Sequence, residues 1–466
     1  MKPGFRDGSD PIRKVIEGKD PVLVVGLGRS GIGAANLLAR MGCPVLVTER
    51  SEEKDSHHLV DDLDPGVEVM WGGHPVSLLD RFELVVISPG VPVESEFVQH
   101  AINKGIRVIG EMELAFRLST VPWVAITGTN GKSTTTTLLG KFAQRAGLPV
   151  GVGGNLGLPV TDILASEGTI SCFIAEVSSF QLETTETFKP SIGVVLNITP
   201  DHLDRYRSEE DYIQAKARIF SQMDDKDWAV VNADDPAIGD ITGNIRPSLF
   251  PFSRRKTLEQ GAFLKDGWIV LRDGGEEIRV IRTKKISLVG THNLENCLAA
   301  SAAGYRLGID PDHMAAVMEN FTGLEHRMEL VSYFRGVPIY NDSKGTNVEA
   351  TQRSLESMHS DVILIMGGKD KGTSYEPLRD LVSRKVSHLI LLGEAAERMR
   401  DSLGGAADIL MVRNLEDAVR FSIDHARPGS EILFSPACSS FDMFSSFEER
   451  GKIFKNLINR YVGMGP

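Results

Sequence analysis

The sequence holds only four cysteines in 466 residues, Cys43, Cys172, Cys297 and Cys438, and no two of them form a Cys-x-x-Cys pair. That spacing excludes a disulfide framework and a cysteine zinc site, and it fits a reducing cytoplasm. An excess of basic residues is also missing: 51 Lys and Arg stand against 63 Asp and Glu, a net charge of −12. With no basic block and no aromatic ladder, nucleic acid is not an expected partner. The longest apolar runs, such as Val22–Leu27 and Val362–Met366, are strand-sized, and the N-terminus carries no signal-like apolar core. No membrane span is therefore expected. Internal repeats and low-complexity segments are absent as well.

What is present is an ordinary globular composition, 41% hydrophobic and 24% charged, on a chain long enough for roughly three domains at about 150 residues each. Short β-branched runs recur, each followed by a Gly-rich or polar turn and a helix-like stretch, the pattern of parallel sheets with crossover helices. The first third supplies Val22–Val25, Val45–Val47, Leu84–Ile87 and Arg107–Ile109; the middle supplies Val124–Ile126, Cys172–Ala175, Ile192–Leu196 and Trp228–Val231; the last third supplies Val362–Ile365, His388–Leu392 and Ile432–Phe434. Three α/β modules are expected, with breaks at Ser119–Pro122 and near Thr322–Arg327. Residues 248 to 288 read as a small β meander, with Asp266-Gly267 and Asp273-Gly274 as turn signals.

Gly128-Thr-Asn-Gly-Lys-Ser-Thr134 directly follows the apolar run Trp123–Ile126. A strand entering a Gly-rich turn and then a helix aims backbone N–H groups and the helix's positive end at one point, which suits a polyphosphate. The general phosphate-loop pattern has an earlier glycine where Ile126 stands, so the loop is a shortened variant. Lys132 would reach the terminal phosphates, and the Ser133 and Thr134 hydroxyls are placed for magnesium.

A second cluster, Gly26-Leu-Gly28-Arg-Ser-Gly31, also follows a strand and opens a helix, and Glu49 ends the next strand about 20 residues on. Taken alone it suggests NAD. The physics specifies only a diphosphate at a helix N-terminus, which a nucleotide-diphosphate sugar satisfies equally.

Polar residues past apolar strands mark where open α/β sheets bind ligands. In the middle module these are the phosphate loop, Glu176–Glu183, with Glu176 placed as a magnesium-binding acid, and Asn197–Asp204, where His202 suits a metal or a carboxylate. Ser208 and Asp211 mark a helix start near 209, on which Tyr212, Ile219, Phe220 and Met223 form an apolar stripe. Lys216 lies at the centre of that stripe. Either it snorkels at the rim, or it is a buried amine open to modification, for instance by CO₂ to a cation-binding carbamate. In the last module Asn341–Asn347, Gly367–Gly372 and Ser435–Asp442 follow strands, and their lysines and hydroxyls suit small anionic substrates.

Taken in order, G-T-N-G-K-S-T, E-V-S-S-F-Q-L-E, D-H-L-D-R with A-K-A-R-I-F, G-T-H-N-x-x-N, H-R-M-E, N-D-S-K-G-T-N and S-P-A-C-S-S-F-D resemble the Mur ligases of peptidoglycan synthesis across nearly the whole chain. The resemblance implies an α/β protein of three domains: an N-terminal Rossmann-like domain over 1–120 for a UDP-sugar, a central P-loop ATPase-type parallel sheet over 121–325, and a C-terminal Rossmann-like domain over 326–466 for ATP and an amino acid. It implies ATP and two magnesium ions as cofactors. By motif match, Gly128, Thr129, Asn130, Gly131, Lys132, Ser133, Thr134, Asn293, Asn296, Arg327, Asp342 and Lys344 correspond to ATP contacts. Gly28, Arg29, Ser30, Glu49, Arg50, Ser88, Gly90 and Asn155 correspond to the UDP-substrate site. Thr346, Lys371, Ser440, Phe441 and Phe447 correspond to a D-glutamate site. Ser133, Glu176, His202 and Lys216 as a carbamate correspond to metal ligands, with Lys132, Glu176, His202 and Lys216 in the catalytic roles. Two departures stand out: Gly345 where related sequences often have alanine, and Arg29-Ser30 in place of a smaller apolar and hydroxyl pair. The absence of a D-N-P-R segment favours addition of D-glutamate over meso-diaminopimelate.

The activity so implied is ATP-driven joining of D-glutamate to UDP-N-acetylmuramoyl-L-alanine through an acyl phosphate, by a monomer in the cytoplasm, with domain closure excluding water. Sibling Mur ligases and folate polyglutamylation enzymes are the alternatives within the class. An NAD-dependent dehydrogenase or a P-loop ATPase switch are the alternatives outside it.

Overall fold

The structure, a computed structural model, describes residues 9–53, 57–155, 157–166, 168–199, 205–206, 208–243, 245–288, 290–359, 361–370 and 372–463. They form two compact units, Met1–Lys285 with Glu295–Glu319, and Ile286–Leu294 with Asn320–Pro466.

The first unit contains two parallel sheets. In the N-terminal one the strands lie in the order Val67–Met70, Val45–Thr48, Val22–Val25, Leu84–Ile87, Arg107–Gly110, all parallel. Val22 and Val24 face one hydrophobic cluster while Leu23 and Val25 face another. Both faces of this strand are covered, which is why it reads as an unbroken apolar run. The chain builds outward from Val22–Val25 on one side, then returns to build on the other. This reversal leaves the loops after Val25 and Ile87 side by side at the carboxyl ends of adjacent strands, the place where such sheets hold ligands.

The second sheet repeats the device in the order Ser248–Leu249, Trp228–Val231, Ile192–Val195, Trp123–Thr127, Cys172–Glu176, Val150–Gly154, again parallel throughout. The reversal falls at Trp123–Thr127, so the phosphate loop emerges between the ends of the Cys172 and Ile192 strands. Arg117, 2% exposed, ties the two sheets together: it donates to Asp10 at 2.9 Å, Glu113 at 2.7 Å and Glu186 at 2.6 Å. Glu113 in turn accepts from the Glu186 and Thr187 amides. The expected meander is present as Gly261–Lys265, Trp268–Asp273 and Glu276–Arg282, antiparallel, with Phe252–Ser253 alongside. Asp266 and Gly267 both turn at positive φ, as a two-residue hairpin requires.

The second unit is one six-stranded sheet in the order Glu329–Phe334, Val337–Asn341, Glu431–Phe434, Val362–Gly367, Val386–Leu392, Asp408–Met411. Its first pair is antiparallel and the rest are parallel. Ile363 and Ile365 pack on the helix Leu415–His425 and on Phe454, while Leu364 and Met366 pack against Leu355, Leu378 and Met399. Among the described residues no helix is long and apolar enough to cross a membrane.

Three strands lay outside the sequence expectation. Val67–Met70 and Asp408–Met411 are edge strands with no fully buried face, so their apolar signal is weak. Val150–Gly154 is disguised by glycine: a Cβ at Gly151 would lie 2.7 Å from Ile163, and one at Gly153 2.5 Å from the Leu158 carbonyl. The helix near 209 is also shorter than the stripe suggests. It runs Glu209–Ala217, and Arg218–Phe220 tightens into a 3-10 turn.

Candidate active site

At the reversal of the N-terminal sheet lies a cavity of about 500 Å³. Gly28, Arg29, Ser30, Glu49, Arg50, Ser88, Gly90 and Asn155 all line it. Gly31 has no room for a side chain, since a Cβ there would lie 2.0 Å from the Gly26 carbonyl; this lets the helix Arg29–Arg40 start hard against the loop. The Glu49 carboxylate accepts from the Leu27 amide at 2.7 Å and from the Ser51 amide and hydroxyl, both at 3.0 Å. Burial raises its pKa, but these hydrogen bonds outweigh burial and leave it below the usual carboxylate range. Glu49 therefore braces the glycine loop as a carboxylate. Ser88 does the same from the other strand, donating to the Gly26 carbonyl at 2.9 Å. His74 was not foreseen: it lines the cavity, pairs through Nδ1 with Thr48 at 2.9 Å and packs on Phe97. Burial and then Arg50, against Glu49, hold its pKa below the ordinary histidine value.

In the central sheet the loop bends at Gly128, φ 151°, and at Gly131, φ 85°, conformations that favour glycine. A Cβ on Gly131 would lie 2.2 Å from Asn296 Oδ1, so Asn296 packs directly on the turn. Asn197, at the end of the neighbouring strand, clamps the loop: its Oδ1 accepts from the Asn130 amide at 2.8 Å and its Nδ2 donates to the Asn130 carbonyl at 3.0 Å. The sequence marked Asn197 only as the first residue of a polar segment. Lys132 folds over the loop and donates to the carbonyls of Gly128 at 2.7 Å and Thr129 at 2.8 Å. Ser133 and Thr134 are buried in the first helical turn.

Lys216 is 1% exposed, which excludes the snorkelling alternative. Its Nζ donates to the Gly128 carbonyl at 3.1 Å and lies 4.4 Å from the centre of the Tyr212 ring. Tyr212 is fixed in turn by the Thr129 hydroxyl at 3.1 Å. Glu176 is 2% exposed; its Oε1 accepts from Asn155 Nδ2 at 2.8 Å, whereas Oε2 is buried with no partner among the described residues. A buried carboxylate oxygen without a donor is costly, and a bound cation satisfies it. Magnesium accordingly fits the donor set here. His202 and Lys371 lie outside the described residues.

In the second unit the loops after Asn341, Phe434 and Gly367 emerge from three adjacent strands. Asp342 accepts from Ser354 and Ser435, both at 2.7 Å; burial pushes its pKa up to about 6 against those bonds. Gly345 packs so closely that a Cβ would lie 2.5 Å from Asp342 Oδ2 and 2.7 Å from Ser435 Oγ. Lys344 Nζ lies 3.7 Å from the centre of the Phe447 ring, so a cation and a residue assigned to different ligands meet. Thr346 and Arg327 are half-buried in the same loop system, Asn293 and Ser440 are buried, and Phe441 is 67% exposed. Arg450, another residue the sequence did not single out, is buried and donates to the carbonyls of Ser343 at 2.7 Å and of Cys438 and Ser439 at 3.2 Å. It holds two of the three loops in register. Burial lowers its pKa to about 10.

The descriptions of three protein-family domains match the chain in sequence order: Mur ligase MurD-like N-terminal domain over residues 20–110, Mur ligase middle domain over 126–304 and Mur ligase glutamate ligase domain over 326–438. The UDP-N-acetylmuramoylalanine–D-glutamate ligase of Geobacter metallireducens is 45% identical over 445 residues, 95% of this chain and 98% of that protein. The protein of the same name from Caldanaerobacter subterraneus subsp. tengcongensis is 41% identical over 94% of this chain and 97% of its own length. Among solved structures, a pseudomurein peptide ligase type C from Methanothermus fervidus superposes with TM-score 0.62 at 20% identity, covering 95% of this chain and all of that one. UDP-N-acetylmuramate-alanine ligase from Thermotoga maritima gives TM-score 0.60 at 17% identity, covering 96% of this chain and all of that one.

Proposed function

This chain belongs to the Mur ligase family, and we propose that it joins D-glutamate to UDP-N-acetylmuramoyl-L-alanine, driven by ATP, in the building of peptidoglycan precursors. The observation that carries this reading is the company kept by the phosphate loop: a buried acid with one unsatisfied oxygen, Glu176, and a fully buried lysine, Lys216, both at its edge. A loop that merely hydrolysed ATP as a switch would have no use for the second. Identity of 41% to 46% to D-glutamate-adding relatives, over nearly their whole length, supports the choice of amino acid.

The nucleotide sugar takes the cavity lined by Gly28, Arg29, Ser30, Glu49, Arg50, Ser88, Gly90 and Asn155, its diphosphate on the N-terminus of Arg29–Arg40. ATP takes the loop Gly128–Thr134, and by motif match Asn293, Asn296, Arg327, Asp342 and Lys344 are the further ATP-contacting residues. D-glutamate is bound by Thr346, Lys371, Ser440, Phe441 and Phe447. The three domains divide at 1–120, 121–325 and 326–466.

In the first step the alanyl carboxylate attacks the γ-phosphorus and ADP leaves, giving an acyl phosphate. In the second the D-glutamate amine attacks the acyl carbon, phosphate leaves and the nitrogen loses a proton. Phosphoryl transfer needs positioning and charge neutralisation more than covalent help, and Lys132 supplies a fixed cation at the loop. Ser133 and Glu176 would hold one magnesium ion, and His202 with carbamylated Lys216 a second; magnesium so held would supply positive charge that offsets the like charges of the two anionic reactants. Carbamylation would join the Lys216 amine to CO₂ with loss of a proton. Asn197 fixes the loop against which these groups act.

The test is ADP release by the purified protein with each component withheld in turn. Release that requires both D-glutamate and UDP-N-acetylmuramoyl-L-alanine is the expected result. Release without either substrate would make the protein a simple ATPase and overturn the reading.

A further inference from the structure

Arg205 links two regions that the chemistry above uses separately. Its Nη1 donates to the Pro89 carbonyl at 3.0 Å, and Pro89 is part of the wall of the nucleotide-sugar cavity. Its Nη2 donates to Glu183 Oε2 at 3.2 Å, and its guanidinium carbon lies 4.1 Å from the centre of the Phe180 ring. Phe180 and Glu183 both belong to the short helix Ser179–Glu183 that follows Glu176. The next residue, Tyr206, donates to the other oxygen of Glu183 at 2.5 Å, stacks on Phe180 and lies against Tyr212, 5.2 Å between ring centres. Tyr212 shares a hydrogen bond with Thr129 of the phosphate loop. A continuous set of contacts thus runs from the lip of one site to the Thr129 hydroxyl of the other, and Arg205 is the member that spans the gap.

We propose that Arg205 is a positioning residue that couples occupancy of the nucleotide-sugar cavity to the setting of the phosphate loop. The contacts supply a physical route for coupling; that the two ligands are a UDP-sugar and ATP rests on the function proposed above. A planar fork can bond a carbonyl and a carboxylate together while lying flat on a ring, and a lysine can do only one of these. A ligand that shifts Pro89 therefore shifts Glu183 through a rigid plane, and Tyr206 and Tyr212 pass the shift to Thr129. Contiguity alone does not establish coupling, so the proposal stands on a thermodynamic measurement.

Calorimetric titration of UDP-N-acetylmuramoyl-L-alanine into the full chain, with and without a non-hydrolysable ATP analogue and magnesium, gives the ratio of two dissociation constants. For the wild type a ratio within about 5- to 150-fold is expected, the usual range for coupled sites. In Arg205→Lys, which keeps the charge, and Glu183→Gln, which keeps the shape, the ratio falls toward one while each ligand bound alone retains near wild-type affinity. A purely structural role would weaken both ligands together and leave the ratio unchanged, which would overturn the proposal. A wild-type ratio of one would overturn the coupling alone. Failure of the wild type to bind the UDP-sugar under any condition would overturn the functional reading and the proposal with it.

Discussion

Lys132 and Lys216 both donate to the same atom, the carbonyl oxygen of Gly128, at 2.7 and 3.1 Å. One lysine comes from the loop's own helix and the other from a helix far along the chain, yet the glycine between them fixes the spacing of both amines. The phosphate loop is therefore built from two sides, and the buried side is the one general phosphate-loop patterns do not contain.

Lys216→Ala should lower ligase turnover by about 10²–10³-fold, as removal of a fixed electrostatic group does. Because the deleted group would act as a carboxylate, added formate or acetate should restore part of the rate. Steady-state assays across a carboxylate series check this, and turnover indifferent to the substitution would reduce the lysine to a packing residue.

Glu176→Gln separates charge from shape. The amide oxygen can still accept from Asn155, and the buried anionic oxygen without a partner is gone. Thermal stability should hold or rise, while ATP-dependent turnover falls by about 10²–10³-fold. Thermal melts beside rate measurements decide it; a marked loss of stability would show that the carboxylate serves the fold.

Asn197→Ala removes both hydrogen bonds that hold Asn130. At about 1 kcal/mol each, the loss should raise the KM for ATP by roughly tenfold or more with kcat less affected. Asn197→Asp keeps the acceptor and loses the donor while placing a negative charge beside the phosphates, so its KM should be worse still.

Glu111, at the start of the helix Glu111–Arg117, accepts from the Thr161 amide and hydroxyl, both at 2.9 Å, and its other oxygen has no partner among the described residues. Burial pushes its pKa up to about 7, the Thr161 bonds opposing. The folded state therefore holds this proton more tightly than the unfolded chain does. The stabilisation is complete below the unfolded carboxylate range and is lost as pH rises to about 7. Glu111→Gln should gain on the wild type across that window, by an amount of up to about 3 kcal/mol above neutrality, in denaturant titrations at pH 5 and 8. Equal pH dependence of the two proteins would show that another group carries it.

The central parallel strands were legible because each is covered on both faces, which leaves an apolar run such as Val362–Met366 with no polar interruption. Val150–Gly154 was not, since its glycines are set by the closeness of Ile163 and Leu158 in the turn and helix that follow, a packing that the alternation of residue types along the strand does not show. The helix cap at Ser208 and the apolar stripe predicted Lys216 at the centre of a buried face, and the structure places it there. Arg450 and Asn197 gave no pattern of their own: each acts through backbone carbonyls or amides of another segment, and a hydrogen bond to a backbone leaves no mark on the identity of its partner.

The sequence by itself determined the chemistry available: a phosphate loop, a strand-end acid, a lysine among apolar neighbours and a second Gly-rich turn, because residue type and local spacing settle which groups are present and which helix or strand presents them. Only the tertiary structure decided how they combine. The reversal in strand order sets Glu176 and Asn197 on either side of Thr127, and packing alone brings Lys216 to Gly128 and leaves Glu176 with one unsatisfied oxygen. Those are matters of burial and distance between remote segments, which depend on the whole fold.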